Sequence, residues 1–145
     1  MLPVRTWHSG IAEASRRTTG DHVISPENIK LKRAYEPPAT GDGTRILVDR
    51  LWPRGVRKAA AAIDMWAKDI APSTELRQWF GHETNRWEEF CRRYVAELEQ
   101  KPDLINELRA LARSGKITLV FGAHDQTHND AVVLRKVLLN MHMRS

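Results

Sequence analysis

The chain has a single cysteine in 145 residues, Cys91, so no disulfide can form within it. Long apolar runs are missing too: none approaches the roughly 18 residues that a bilayer-spanning helix needs. The first 28 residues hold no uninterrupted apolar core of the signal-peptide kind, because Arg5, His8, Glu13, Arg16 and Arg17 break them up. With no disulfide and no export signal, the expected location is the cytoplasm. There is no low-complexity tract, which excludes a fibrous or largely disordered chain. Several catalytic signatures are absent as well: no nucleophilic triad, no paired-carboxylate motif and no dinucleotide-binding glycine pattern. Gly41-Asp42-Gly43 lacks the lysine and the spacing of a phosphate-binding loop and reads as a turn. No cofactor is implied.

What remains is the composition of an ordinary globular domain, 41% hydrophobic and 28% charged. A chain of this length forms one domain and buries about two-thirds of its unfolded surface. The formal net charge of +5 points to anionic partners such as nucleic acid, phosphorylated metabolites or acidic proteins. Residues 1–28 carry equal numbers of basic and acidic side chains, so the excess belongs to residues 29–145, where it is spread out rather than gathered in one run. The same charge also suits a basic surface with no particular partner.

Residues 1–28 mix Ser, Thr, Gly, Arg and His without a sustained apolar period. They read as a flexible N-terminal extension, with a turn of helix around Ile11 to Arg17 and Trp7 available for docking. The α/β domain follows over residues 29–145. Ile29 to Tyr35 alternates like a half-buried strand, and Ile46-Leu47-Val48 is a continuous apolar run that suits a strand covered on both faces. Ala59 to Ala62 reads as a short helix and Met65 to Ile70 as a short strand. Pro72-Ser73-Thr74 then supplies a stop and an N-cap for a helix ending at Gly81. Thr84 is the expected cap of the next helix, whose Trp87, Phe90, Cys91, Tyr94 and Leu98 fall on one face. A packed thiol is therefore expected at Cys91. Pro102 opens another helix with Leu104, Ile105, Leu108 and Leu111 as its stripe, and Gly115 closes it. Ile117 to Phe121 is the best strand in the chain, and Asn129 caps a final helix running to about Met141. Strands alternating with helices predict a compact single α/β domain, a mainly parallel sheet with helices packed on its faces.

Ligands of open parallel sheets bind beyond the carboxyl ends of the strands. Two strands have polar exits: one through Asp49, Arg50, Trp52 and Arg54, the other through His124, Asp125, His128 and Asn129. If these strands run parallel, both exits share one edge. Arg50 and Arg54 then offer planar donor forks to phosphate or carboxylate, and Trp52 a stacking surface. Arg54 leads, because a Pro-Arg-Gly turn presents its side chain on a bent, exposed backbone. Asp49 could instead pair with one of these arginines, and Trp52 could be core. His124 and Asp125 read as an acid/base and its orienter, or as hydrogen-bonding loop residues. His128 braces the loop or joins the site. Asn129 reads first as a cap, at a helix N-terminus whose free N–H groups favour anions. His124 and His128 straddle a loop with no third ligand at fixed spacing, so no metal is assigned. Trp66, Trp79 and Trp87 read as core, with Lys68, Asp69, Arg77 and His82 as rim candidates.

Several separated motifs, in order, carry a resemblance. They are Arg33 to Pro38, Leu47-Val48-Asp49-Arg50-Leu51-Trp52-Pro53-Arg54-Gly55, Trp66 to Arg77, Trp79-Phe80, Trp87-Glu88-Glu89-Phe90 and His128-Asn129. With them, residues 29 to 140 resemble the YeaO-like family, domain of unknown function 488. The resemblance implies a compact α/β fold and supplies no mechanism. Members usually show Tyr-Ala-Ala, then Lys or Arg, then Asp after the last strand. Here Phe121-Gly122-Ala123-His124-Asp125 puts His124 where the family has a permanent cation.

The reading that follows is a small anionic, phosphate- or nucleotide-like ligand at the strand ends, with any proton transfer assigned to His124 and Asp125. The residues leave open whether catalysis accompanies binding, and they set no oligomeric state. The alternative is a nucleic-acid-binding or regulatory module acting through the basic surface, and a third reading is a scaffold working through protein contacts.

Overall fold

Five short extended segments form one sheet: β1 (Arg5–Thr6), β2 (Ile29–Arg33), β3 (Thr44–Leu47), β4 (Met65–Trp66) and β5 (Ile117–Phe121). Their order is β1-β4-β3-β5-β2, and every neighbouring pair is parallel. Among the described residues five α-helices accompany them: α1 (Lys58–Ala61), α2 (Thr74–Phe80), α3 (Trp87–Glu99), α4 (Pro102–Ser114) and α5 (Asp130–Leu138). The computed structural model describes residues 5–6 and 24–140. The helical turn read at Ile11 to Arg17, the docking role of Trp7 and the helix end at Met141 lie outside the described residues.

β5 lies between β3 and β2, and all five of its residues are buried. The two-residue period of a strand sends Ile117, Leu119 and Phe121 to one face and Val120 to the other. The first face carries the main core. There the apolar stripes of α2 to α5 pack through Leu76, Phe80, Phe90, Tyr94, Leu98, Leu108, Val133 and Leu134. Each such side chain, fully buried, contributes about 1.5–3 kcal/mol. The second face is thinner: Leu47 and Val120 lie under Ala61, Ile63, Trp52, Val56 and Trp66. Cys91 is buried in the main core, and burial pushes its thiol pKa up to about 11.

Several boundaries differ from expectation. β2 stops at Arg33 because Ala34 N–H makes its last pairing, to Phe121 O, and Glu36 N–H turns back to Arg33 O. β4 is only two residues long. After Ala67 N–H reaches Leu47 O the chain winds into a 3-10 turn over Lys68–Ile70. Thr84 is not a cap: it opens a 3-10 turn, and α3 begins at Trp87 with no side-chain cap. Ser73 does cap α2, accepting from Leu76 N–H. Within the segment read as an extension, Arg5–Thr6 pairs with Met65–Trp66, and Asn28 Nδ2 donates to Ala112 O at 2.8 Å.

The amino end of the sheet is tied by Asp42. Its buried carboxylate accepts from Lys30 and Lys32 and, at 2.6 Å, from Arg45, while Thr118 Oγ1 donates to its carbonyl at 2.7 Å. Gly43 follows with φ +65°, and a Cβ there would sit 2.1 Å from Lys116 O. Only glycine fits. This knot lies at the edge opposite the strand exits described next.

Candidate functional site

Because all strands are parallel, β2, β3 and β5 leave the sheet on the same side. β3 and β5 are direct neighbours, with Leu47 paired to Val120. Their exits are joined by a hydrogen bond from Gly122 N–H to Asp49 Oδ2 at 2.8 Å. The two polar exits read from the sequence therefore do share an edge. An open cleft of about 470 Å³ lies there. It is lined from the β2 exit by Tyr35, from the β3 exit by Asp49 to Arg54, and from α2 and its end by Arg77, Gln78, Phe80, Gly81 and His82. Ala71, Pro72, Phe90, Gly122, Ala123, His128, Asn129 and Asp130 complete it.

Of the expected site residues, Arg50, Trp52, Arg54, His128 and Asn129 line the cleft. Arg50 makes only long contacts, 3.4 Å to the carbonyls of Pro72 and Ala71. Arg54 is exposed at the lip, where its carbonyl accepts from Tyr35 Oη at 2.9 Å. Trp52 is largely committed to structure. Its Nε1 donates to Val56 O at 2.7 Å, and its ring meets the Trp66 ring edge-on at 5.3 Å. Asn129 caps α5 as read, accepting from Val132 N–H while Nδ2 donates to Asp125 O.

The expected pair His124 and Asp125 does not form. His124 is exposed, and neither residue is among those that line the cleft. Asp125 holds His128 instead, 2.9 Å from Oδ2 to Nδ1, and also accepts from the backbone N–H groups of Thr127 and His128. The physical reason is the loop's tight turn, which brings the carboxylate back over residues 127 and 128 rather than its preceding neighbour. The Thr127 N–H first, then the His128 ring, hold the Asp125 carboxyl well below the usual carboxylate range. As an anion Asp125 accepts from Nδ1–H, which leaves Nε2 as the remaining polar atom of His128. The ring packs edge-on against Trp87 at 5.1 Å.

Three features escaped the sequence reading. Asp49 and Asp130 meet carboxyl to carboxyl on the cleft floor. Burial raises both above the ordinary range, Asp130 strongly, because its charge would also face that of Asp49. The contact therefore disfavours both carboxyls being ionised together. Second, Asp130 takes the α5 first-turn N–H of Ala131 and Asn129 takes that of Val132, so the helix end expected to receive an anion is already occupied by the chain itself. Third, Arg77 and His82, read only as rim candidates, line the same cleft and act on the Asp49 charge. His82 has φ 61° directly after Gly81 at φ 52°, two left-handed residues that turn the chain beyond α2 and set the imidazole near Phe80, 6.2 Å between centroids. Of the other rim candidates, Lys68 lies over the Trp66 ring at 4.3 Å, and the Asp69 carbonyl accepts from Lys101. Among the described residues no group of His, Cys, Asp and Glu is placed to hold a metal ion, and no helix is long and apolar enough to cross a membrane.

This geometry defines a small parallel α/β domain with a basic-rimmed, acid-floored cleft at the carboxyl edge of its sheet. The chain belongs to the YeaO-like DUF488 family. The family model that matches, over residues 28–145, is described as the inactive DUF488-N3 subclade. The uncharacterized protein YeaO of Escherichia coli is 46% identical over 107 residues, 74% of this chain and 93% of that protein. The uncharacterized proteins Mb3100c of Mycobacterium bovis and Rv3073c of Mycobacterium tuberculosis are each 38% identical over 116 residues, 80% of this chain and 98% of theirs. No solved structure matches the chain significantly.

Proposed function

We propose that the chain captures a small anionic ligand, phosphate-bearing or carboxylate-bearing, in the cleft at the carboxyl edge of the sheet. The observation that carries this reading is the convergence of Arg50, Arg77 and His82, with Arg54 at the lip, on one cleft. Among the described residues neither the Arg77 guanidinium nor the His82 ring donates a hydrogen bond, and Arg50 makes only its two long ones. These donors are unspent. The volume of 470 Å³ falls within the range of about 300–1,000 Å³ common to small-molecule sites. The family's description as an inactive subclade favours capture over turnover, and His124 lies away from the cleft lining, so the site is read as a binding site. A cytoplasmic ligand is consistent with the buried, unpaired Cys91.

Calorimetric titration with inorganic phosphate and simple phosphate esters, at constant ionic strength, tests the reading. Arg50→Ala and Arg77→Ala should each weaken binding about tenfold, the loss of about 1.4 kcal/mol that a charged contact supplies. Arg54→Ala, at the solvent lip, should cost less. The reading fails if the protein takes up no phosphate compound, or if both variants bind as the native chain does. Binding only to oligonucleotides, weakening steeply with salt, would instead make the basic surface the functional feature.

A further inference from the structure

The cations around the cleft are hydrogen-bond donors and call for acceptors on the ligand. The floor calls for the opposite. Asp49 and Asp130 present four carboxyl oxygens, side chain against side chain, at the cleft lining. One oxygen of Asp49 accepts from Gly122 N–H, and the Asp130 carboxyl accepts from Ala131 N–H. Each oxygen has two lone pairs, so the pair keeps acceptor capacity where it borders the cleft. A bare anion gains nothing there and is repelled by whatever negative charge the pair retains. A hydroxyl group beside the anion can donate to a carboxyl oxygen of the pair. A metal cation is poorly suited, because Arg77 and His82 line the same cleft and already act on the Asp49 charge. Beside the pair, Phe80 and Phe90 stack at 4.5 Å and form an apolar wall against which the C–H face of a sugar ring can lie.

Resting on the anion-capture reading, we infer that Asp49 and Asp130 form a hydroxyl-binding subsite, which makes the ligand a phosphorylated sugar or polyol rather than a bare anion. The cations hold the phosphate, the acid pair holds one or two hydroxyls, and the spacing between the two sets selects the ligand.

The test compares inorganic phosphate with ribose 5-phosphate by calorimetry on the full chain at one pH and ionic strength. The sugar phosphate should bind at least about tenfold more tightly than phosphate, and in Asp130→Ala this ratio should fall to about one. Asp130→Asn, of nearly the same shape and without the buried like charge, provides a variant that keeps the fold, verified by its thermal midpoint. It should lower the ratio as well, because an amide NH2 donor replaces one of the oxygens that would accept from the hydroxyl. Equal affinity for the two probes, or a preference that survives in both variants, overturns the subsite while leaving the anion-capture reading intact. Failure of the native chain to bind either probe overturns that reading, and the subsite with it.

Discussion

The backbone N–H of Gly122 donates to Asp49 Oδ2 at 2.8 Å, tying the exit of β5 to the exit of β3. A Cβ at position 122 would come within 3.3 Å of that same oxygen, so the absence of a side chain is what lets the backbone approach. The contact fixes Asp49 where it also meets Asp130 and feels the charge of Arg77. One backbone hydrogen bond thus sets the floor of the cleft.

A half-buried acid pair costs stability when it ionises. The carboxyls of Asp49 and Asp130 are raised by burial, and a group with a raised folded pKa contributes stability that is complete below its unfolded pKa, about 4, and is lost as pH rises through the folded value. The native chain should therefore lose stability through this pair as pH climbs above about 4. Asp130→Asn removes one of the two titrations while keeping an acceptor for Ala131 N–H. Its melting midpoint should exceed that of the native chain at pH about 8, by some 2–4 °C per kcal/mol recovered, and the two should converge near pH 4. Thermal unfolding across this range decides the matter. A variant that melts lower at alkaline pH would show that the pair stabilises the fold instead.

Asp42 carries the opposite sign. Burial would raise its carboxyl, but Lys30, the Ala39 N–H, Lys32 and Arg45 outweigh it and hold the group far below the usual range. Such a group supplies stability above its unfolded pKa, about 4, that is lost as pH falls through the folded value. Asp42→Asn breaks a buried ion pair and leaves the Arg45 guanidinium without its partner, a loss of about 3–5 kcal/mol at neutral pH. The deficit should shrink steadily below pH about 4, where the carboxyl of the unfolded chain takes up a proton while the folded one is still held ionised. Urea unfolding at neutral and acid pH measures both numbers. An equal deficit at the two would mean that packing, not charge, is what the aspartate provides. Phosphate uptake should survive in the folded fraction, because the knot lies across the sheet from the cleft.

The two loop histidines should behave differently. His128 lines the cleft and is anchored by Asp125, whereas His124 is exposed and lies away from it. His128→Ala should weaken ribose 5-phosphate binding several-fold, about 1 kcal/mol for one lost hydrogen bond from a ligand hydroxyl to Nε2, and His124→Ala should leave it at the native value. Asp125→Ala should follow His128→Ala in direction, since it frees the ring. The three dissociation constants, measured side by side, are the check. A larger effect from His124 would return that residue to the site.

Local patterns carried much of this architecture. The β-branched run Ile117 to Val120 and the i, i+3, i+4 stripe of α3 were legible because each is written in consecutive or near residues. Ser73 and Asn129 were legible as caps for the same reason. The resemblance of the motif from Leu47 to Gly55 likewise depends on adjacent positions. Thr84 misled because its hydroxyl suits a cap, while the 3-10 turn that displaces it depends on how α2 and α3 meet.

By itself, then, the sequence determined the fold class, the main helices, the apolar strands and a basic surface with arginines at a strand exit. Those properties follow from hydrophobic period, backbone propensity and charge, which act over a few residues. Only the tertiary structure decided that Asp49 meets Asp130, that Asp125 chooses His128 over His124, and that Arg77 and His82 belong to the same cleft. These partnerships join residues brought together by parallel strand pairing and by the packing of α2 and α5 on the sheet. Carboxyl against carboxyl has no local signature, since its cost and its use both arise when burial removes the water that would otherwise separate the two charges.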